Sequence, residues 1–474
     1  MQAWIEMETK GSDFGDERLD VRYQALLERL SDKPSLSIPA ACGGQAETAA
    51  AYRFFDNEKT VPAKVLGPHR NATLERIRAE AVVISAQDTT EVDLTRTQEK
   101  VGGPLDDGTR WGLYVHPVLV MTPQRVPLGV VDAEMWSRDP KELEKSSKQR
   151  RKERRDKPYE AKESYRWLKG YATACQIAAE APNTKVVCVS DSEGDIYECF
   201  VAGGQEGWRA EWIVRGCQDR ALVEEEKNLL QLLACQAPLG KMTVHVRKRE
   251  ASTGDGRKRR QPRESREADV TVKAMRTLLR PPDRPGEKLP PVYVNAILVR
   301  EENPPEGEEP IAWLLLTSLP IATFEEACTV VSYYCCRWEI EVFFRVLKSG
   351  CKIEELQFHR EDRLQVCLAM YLIVAWRVLY VLKLGRECPD MRCDAIFSEA
   401  EWQSVYVIAN RRPAPKTPPS LKAIIPLIAA MGGYLGRKHD GPPGPKTTWI
   451  GLQRMRDFAI AWTAFGPPAA KSCV

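Results

Sequence analysis

The sequence predicts an α/β core that carries a β-rich insertion and has helical regions on both sides. Three observations lead there. Between Glu80 and Ser190, short runs of β-branched and small apolar residues recur, with a helical pattern before the last of them. A second group of strand-like runs fills about 205–320, separated by Pro-, Gly- and charge-rich connections. The first 75 residues and roughly the last 120 repeat their apolar residues at helical spacing.

A chain of 474 residues is too long for one core, because domains usually run ~100–200 residues. The expected division is 1–75, 76–360 with the insertion at about 205–320, and 361–474. Hydrophobic residues make up 43% and charged residues 28%, which excludes a disordered or fibrous chain. Its 69 basic and 66 acidic side chains leave a net charge of +3, so only the distribution of charge can point to a partner. None of the 14 cysteines has C-x-x-C spacing, and Cys335 and Cys336 are adjacent, which predicts reduced thiols. The acidic start is unlike a secretory signal, and the longest apolar run, Val366 to Trp376, is too short to span a bilayer. A bacterial cytoplasmic location, acting on chromosome or plasmid, with no membrane partner is the expectation.

Taken in order, Leu19, Tyr23, Leu26 and Leu30 make one apolar stripe of a helix that ends at Ser31-Asp32-Lys33-Pro34. Ala81–Ala86 reads as a buried strand followed by Gln87-Asp88-Thr89-Thr90. Leu113–Met121 and Val126–Ala133 read as two more strands across a Thr122-Pro123-Gln124-Arg125 turn. A charged helical stretch, Lys141–Lys157, and an amphipathic helix, Tyr165–Ala179, lead to a buried strand, Lys185–Ser190, that ends at Asp191. Three strands, a helix and a strand parallel to the first give the order of a ribonuclease-H-like sheet. Strand candidates at Glu211–Arg215, Met242–Arg247, Ala268–Ala274, Val292–Val299 and Trp313–Thr317 form the insertion, and a helical pattern resumes over Phe324–Lys348.

The chemistry concentrates on that last helix. At 100° per residue, Tyr334, Arg337, Glu341 and Lys348 fall within about 60° of one another. One face thus offers a carboxylate to ligate a metal and a guanidinium, an ammonium and a phenol to hold phosphates. Taken alone, such a quartet is also a salt-bridged surface. Asp88 and Asp191 each close a run of β-branched and small residues, which sets each carboxylate at a strand end. Three hard oxygen ligands suit Mg²⁺, with Mn²⁺ able to substitute, and two ions stabilise both attacking and leaving oxygens in phosphoryl transfer. The five histidines show no zinc spacing, and neither a G-x-S-x-G nor a P-loop occurs.

With these residues in view, the sequence resembles the DDE transposases of the insertion-sequence-four family, close to the group of the transposon-five transposase. Tyr334, Arg337, Glu341 and Lys348 match the family's Y-x2-R-x3-E-x6-K motif. Likeness also covers Gly15-Asp16, Ala51-Tyr52-Arg53-Phe54, Asp88-Thr89-Thr90, Asp191 to Asp195 and Trp313 to Ser318, so it reaches to about residue 350. The resemblance implies cut-and-paste transposition: nicking, attack of the freed 3′-OH to make a hairpin, reopening by water, and joining to target DNA. Asp88, Asp191 and Glu341 would ligate two ions. Arg337, Lys348 and Tyr334 would hold phosphates, with Arg215 and Arg220 as further contacts from the insertion. Trp313 would stack on a flipped base, its alternative being a buried strand tryptophan.

Arg18, Arg22, Lys33 and Arg53 match the end-binding region. The basic clusters Lys148–Arg155 and Arg257–Arg263 would add phosphate contacts. The sequence departs from the family at Ser192, where an arginine is common. Double-stranded transposon ends and target DNA are the expected partners, in a complex of two identical chains. The apolar stripe Trp449, Leu452, Met455, Phe458, Ala459 and Trp462 is a candidate dimer contact or an internal packing face. Two other readings share the acids: a ribonuclease-H-like nuclease without strand transfer, and an inactive DNA-binding regulator descended from a transposase.

Overall fold

A computed structural model describes residues 2–98, 100–105, 108–223, 225–247, 262–283 and 288–466. Helices α1 (Ala3–Thr9), α2 (Glu17–Asp32), α3 (Ile38–Cys42), α4 (Gln45–Phe55) and α5 (Pro62–Arg78) come first. Strands β1 (Val82–Gln87), β2 (Thr90–Asp93), β3 (Gly103–Pro104), β4 (Trp111–Met121) and β5 (Pro127–Trp136) follow, then α6 (Ser147–Asp156) and α7 (Tyr165–Glu180). Next are β6 (Lys185–Ser190), α8 (Tyr197–Gly203), β7 (Glu211–Gly216), α9 (Leu229–Cys235), β8 (Gly240–Val246), β9 (Arg266–Leu279), β10 (Val292–Glu301) and β11 (Ala312–Thr317). The chain closes with α10 (Phe324–Cys336), α11 (Trp338–Arg345), a π-helical turn at Val346–Gly350, and α12 (Glu361–Glu387), α13 (Glu399–Asn410), α14 (Leu421–Met431) and α15 (Pro445–Phe465). The class is the expected one: a mixed α/β fold of ribonuclease-H type with terminal helices.

Two units emerge, and both are discontinuous: one holds Met1–Ile77, Thr89–Pro140 and Glu339–Val474, the other Arg78–Asp88 and Lys141–Trp338. In the second unit the strand order is β1-β6-β7-β11-β10-β9-β8. Strands β1 and β6 run parallel, Val82 opposite Lys185 and Ala86 opposite Val189. Strand β7 is also parallel to β6, and α8 makes the crossover between them. Residues Glu211–Arg215, expected to open the insertion, therefore belong to the parallel core. The insertion proper is β8 to β11, an antiparallel extension that rejoins the core where β11 pairs with β7.

In the first unit, β2 and β5 flank β4 antiparallel, and Arg125 takes φ 70° in the β4–β5 turn. Strands β2 and β3 were not expected; each is too short to show a period. Helix α2 is capped by Asp16, whose side chain accepts from Arg18 N, and it buries Tyr23, Leu26, Leu27 and Leu30. Helix α2 packs on α1, α3, α4 and α12, and α12 is buried along most of its length among α2, α4, α14, α15 and β5. This helix is longer than the apolar run in the sequence and could cross a membrane by length and composition, but 83% of the relevant stretch is buried in the protein.

A buried polar knot ties α1, α5 and β5. His69 Nε2 accepts from Val130 N at 3.0 Å, so the ring's proton is assigned to Nδ1, 2.5 Å from Glu8 Oε2. Arg76 donates to Glu8 Oε1 at 2.7 Å and lies 4.6 Å from the Trp376 ring centroid. At the C-terminus, Trp449, Met455 and Ala459 are buried. The front of the stripe is thus covered by the unit's own α12, α13 and α14. Exposed apolar surface remains at Ile460 and Phe465.

Candidate active site

The register of the two parallel strands is what brings the first two acids together. Asp88 and Asp191 each lie two residues beyond the last paired positions, Ala86 and Val189, at the same ends of neighbouring strands. Gln87, just before Asp88, is buried, and its Nε2 donates to Cys188 Sγ at 3.2 Å. Gly170 on α7 allows that arrangement, since a Cβ there would come within 2.1 Å of Gln87 Oε1. Asp191 opens a short turn, its Oδ1 accepting from Glu193 N at 2.8 Å.

The turn after Asp191 is fastened by Asp195, which the sequence reading passed over. Its buried carboxylate accepts from Cys217 N at 2.8 Å, Gln218 N at 3.1 Å and Arg220 Nε at 3.1 Å. This corrects the expectation for Arg220. It is buried, committed to Asp195 and stacked over Tyr197 and Phe200, so it ties the turn after Asp191 to the end of β7 and presents no open donor face to a phosphate. An acid four residues past a strand-end Asp was visible in the sequence, but nothing there showed that an arginine 25 positions on would meet it. Arg166 on α7 is a second missed residue: it pairs with Glu193 at 2.9 Å, bringing positive charge to a turn where Ser192 supplies none.

Helix α10 starts with a capping box in which Thr323 and Glu326 satisfy each other's backbone, and it packs on β1, β6 and β7. Tyr334 in its last turn is buried; that burial pushes its hydroxyl up from the usual value, and the guanidinia of Arg337 and Arg215 pull it part of the way back. Trp313 packs edge-on against Tyr334, centroids 5.8 Å apart, with only 8% of its surface exposed. Arg215 pairs in register with Leu315, so it shares a sheet face with Trp313 two residues away on β11. Arg337, the residue between α10 and α11, donates from Nη1 to Asp88 Oδ2 at 2.9 Å and lies 4.7 Å from the Trp338 ring centroid. Asp88, Asp191, Arg215, Trp313, Tyr334 and Arg337 are thus gathered in one unit.

Glu341 and Lys348 belong to the other unit. Glu341 is exposed in the first turn of α11. Two positions earlier, about 200° around the helix, Glu339 is fully buried and paired with Lys383 of α12 at 2.7 Å, which fixes the rotation of α11. Lys348 lies in the π-helical turn, whose wider pitch breaks the 100° phase assumed for the quartet, and it approaches Glu354 at 3.5 Å. Among the end-binding candidates, Arg53 is exposed, Arg22 and Lys33 are half-buried, and Arg18 is exposed in a pair with Asp16 at 3.0 Å. Lys148–Arg155 forms α6, and residues 257–261 of the other basic cluster lie outside the described residues.

Two carboxylates at adjacent strand ends are a hard, anionic donor pair that fits a divalent cation. Among the described residues, no three acidic, histidine or cysteine side chains are gathered around one point. Asp88 Oδ2 accepts from Arg337, and Asp191 Oδ1 from Glu193 N.

Three family models match the chain: transposase DNA-binding over residues 1–60, transposase DDE domain over 204–377, and transposase Tn5 dimerisation domain over 373–464. The DDE match takes in Arg215, Trp313, Tyr334, Arg337, Glu341 and Lys348, while Asp88 and Asp191 precede it. Among solved structures, the chain is similar to a piggyBac transposase synaptic complex with hairpin DNA, seen by cryo-electron microscopy. That likeness has a TM-score of 0.37 and 8% identity, covering 99% of this chain and 78% of the other. It is too slight to bear on function.

Proposed function

Because the chain is a DDE transposase similar to the Tn5 transposase, we propose that it cuts a DNA element free at paired ends and joins the freed 3′-OH ends to target DNA. The observation that carries the reading is the pairing of Asp88 and Asp191 at adjacent strand ends, with Arg337 bonded to Asp88. Asp88, Asp191 and Glu341 would be the ligands of two Mg²⁺ ions, for which Mn²⁺ can substitute. When bound, such ions stabilise the charge that builds on the phosphate oxygens and on the attacking and leaving groups.

The chain's own residues do the positioning. Arg215, Arg337, Lys348 and Tyr334 would hold phosphates flanking the cut, and the Tyr334 ring is itself packed on Trp313. Trp313 would receive a base flipped during hairpin formation, which requires it to part from Tyr334, since little of the indole is open here. Arg18, Arg22, Lys33 and Arg53 would grip the element's ends from the first of three functional regions, 1–75, 76–360 and 361–474. Two chains are needed because each supplies one set of acids while an element has two ends, and the exposed tip of α15 at Ile460 and Phe465 is the surface for that pairing. Matches to transposase DNA-binding and Tn5 dimerisation models favour this over a stand-alone nuclease.

The test is cleavage of an end-sequence duplex in Mg²⁺ beside a mobility-shift assay on the same duplex. Asp88→Ala, Asp191→Ala and Glu341→Ala should each abolish cutting and leave end binding nearly intact. Near-normal cutting by any of them removes that residue from the set.

A further inference from the structure

The function proposed above gives Asp88 and Arg337 separate duties, one toward a metal and one toward a phosphate, yet here they are bonded to each other. The Nη1–Oδ2 distance is 2.9 Å, and the side chains are 5% and 16% exposed. We propose that Arg337 is a stand-in for the metal: in the DNA-free protein its guanidinium occupies and neutralises Asp88, and an arriving DNA phosphate draws it away, so that DNA binding and metal binding strengthen each other. The proposal rests on the assignment of Asp88 as a metal ligand.

Three physical points support it. A guanidinium and a divalent cation cannot share the same carboxylate oxygen without strong repulsion, so the two compete for Oδ2. Arginine does not lose its proton in a protein, so the competition ends only when the side chain moves or finds another anion. A phosphate is that anion, offering the planar fork a bidentate, doubly charge-assisted contact.

The setting permits such a movement over a short distance. Arg337 joins two helices, its own N–H bonded back to Tyr334 O at 3.0 Å, so the backbone is held while the side chain lies between the Trp338 ring and Asp88. Arg215 lies on the sheet face of Trp313, which packs on Tyr334 three residues before Arg337, so a second guanidinium is near to share an incoming phosphate. Removal of Arg337 from Asp88 would leave a carboxylate beside Asp191 with its neutralising charge gone, which favours a divalent ion there. By linkage, whatever factor the DNA adds to metal affinity, the metal adds to DNA affinity.

The experiment measures Mn²⁺ binding to the full-length protein, reading free Mn²⁺ by electron paramagnetic resonance, with and without an end-sequence duplex. In the DNA-free protein, R337Q should bind Mn²⁺ tighter than the unmodified chain by roughly fivefold or more, the scale of ordinary coupling between sites. D88N should remove that gain. The duplex should tighten Mn²⁺ binding to the unmodified chain and add much less to R337Q. R337K, which keeps the charge, serves where R337Q fails to fold by circular dichroism, and its DNA-free Mn²⁺ affinity should stay near that of the unmodified chain. A site that depends on Asp88 but whose affinity ignores both Arg337 and DNA overturns the coupling alone. Mn²⁺ binding untouched by D88N in either background overturns the ligand assignment, and the proposal with it.

Discussion

Arg220→Met probes the fastening of the turn after Asp191. The side chains of Arg220 and Asp195 are 6% and 0% exposed, so the substitution leaves a carboxylate in the interior without its counter-charge. Breaking a buried pair from one side costs about 3–5 kcal/mol. Asp195 would keep two backbone donors, Cys217 N and Gln218 N, which moves the expectation to the lower end, about 3 kcal/mol. Met fills the space over Tyr197 and Phe200, so little of the loss should come from a cavity. Urea unfolding of R220M, D195N and the double variant gives the thermodynamic cycle. The double variant should be more stable than R220M, because Asn carries no charge to strand, and the coupling should exceed about 1 kcal/mol. Cutting by R220M should fall even at temperatures where it is fully folded, since the same turn carries Asp191. If R220M costs less than about 1 kcal/mol, or the double variant is no better than the single, the pair does not fasten the turn.

Trp313→Ala should allow first-strand nicking but slow hairpin formation, because flipping costs a few kcal/mol that stacking must offset; equal rates for both steps on a sequencing gel would make Trp313 purely a packing partner of Tyr334. Burial holds the His69 imidazole below its usual range, partly opposed by Glu8, so the ring is neutral when folded. Stability from this site is then fully present above the unfolded value of about 6.5 and lost as pH falls below it. Burial pushes the Glu8 carboxyl up, but His69 and Arg76 outweigh it and leave the group below its usual range, which adds loss in the same acid direction. Thermal melts from pH 7.5 to 5 should show a steeper decline for the unmodified chain than for His69→Gln, and parallel declines would contradict the neutral assignment. Ile460→Asp with Phe465→Asp should leave one-end binding intact and prevent two chains from assembling on two ends by light scattering, whereas truncation after Pro445 should unfold the unit, since Trp449 and Met455 lie in its core.

Much of this was legible before any coordinates. Lys185–Ser190 is a strand with the expected bounds, because a buried parallel strand is a continuous run of Val and small residues with no competing period. The two strand-end aspartates could be read for the same reason. What could not be read depends on distant partners. Glu211–Arg215 looks like any short strand, and only its parallel pairing with β6 assigns it to the core. Arg220 has the composition of a surface contact, and only Asp195 reveals it as buried. Lys348 fits a helical wheel until a π-helical turn changes its phase, a local distortion that residue spacing does not encode. The stripe on α15 was ambiguous because internal packing and a partner chain leave the same pattern.

The arrangement of α2 against α12 sets a clock on synthesis. About 330 residues separate the end of α2 at Asp32 from the start of α12 at Glu361, yet the two pack together. A ribosome adding ~5–20 residues per second needs roughly 15 to 65 s to bridge that interval. Throughout it, α2 has emerged with its neighbours α1, α3 and α4 but without α12, the last of the helices it packs on. The amino-terminal helices of a nascent chain therefore pass through a period in which other apolar surfaces compete for the place of α12, and translation speed along the middle of the message governs how long it lasts.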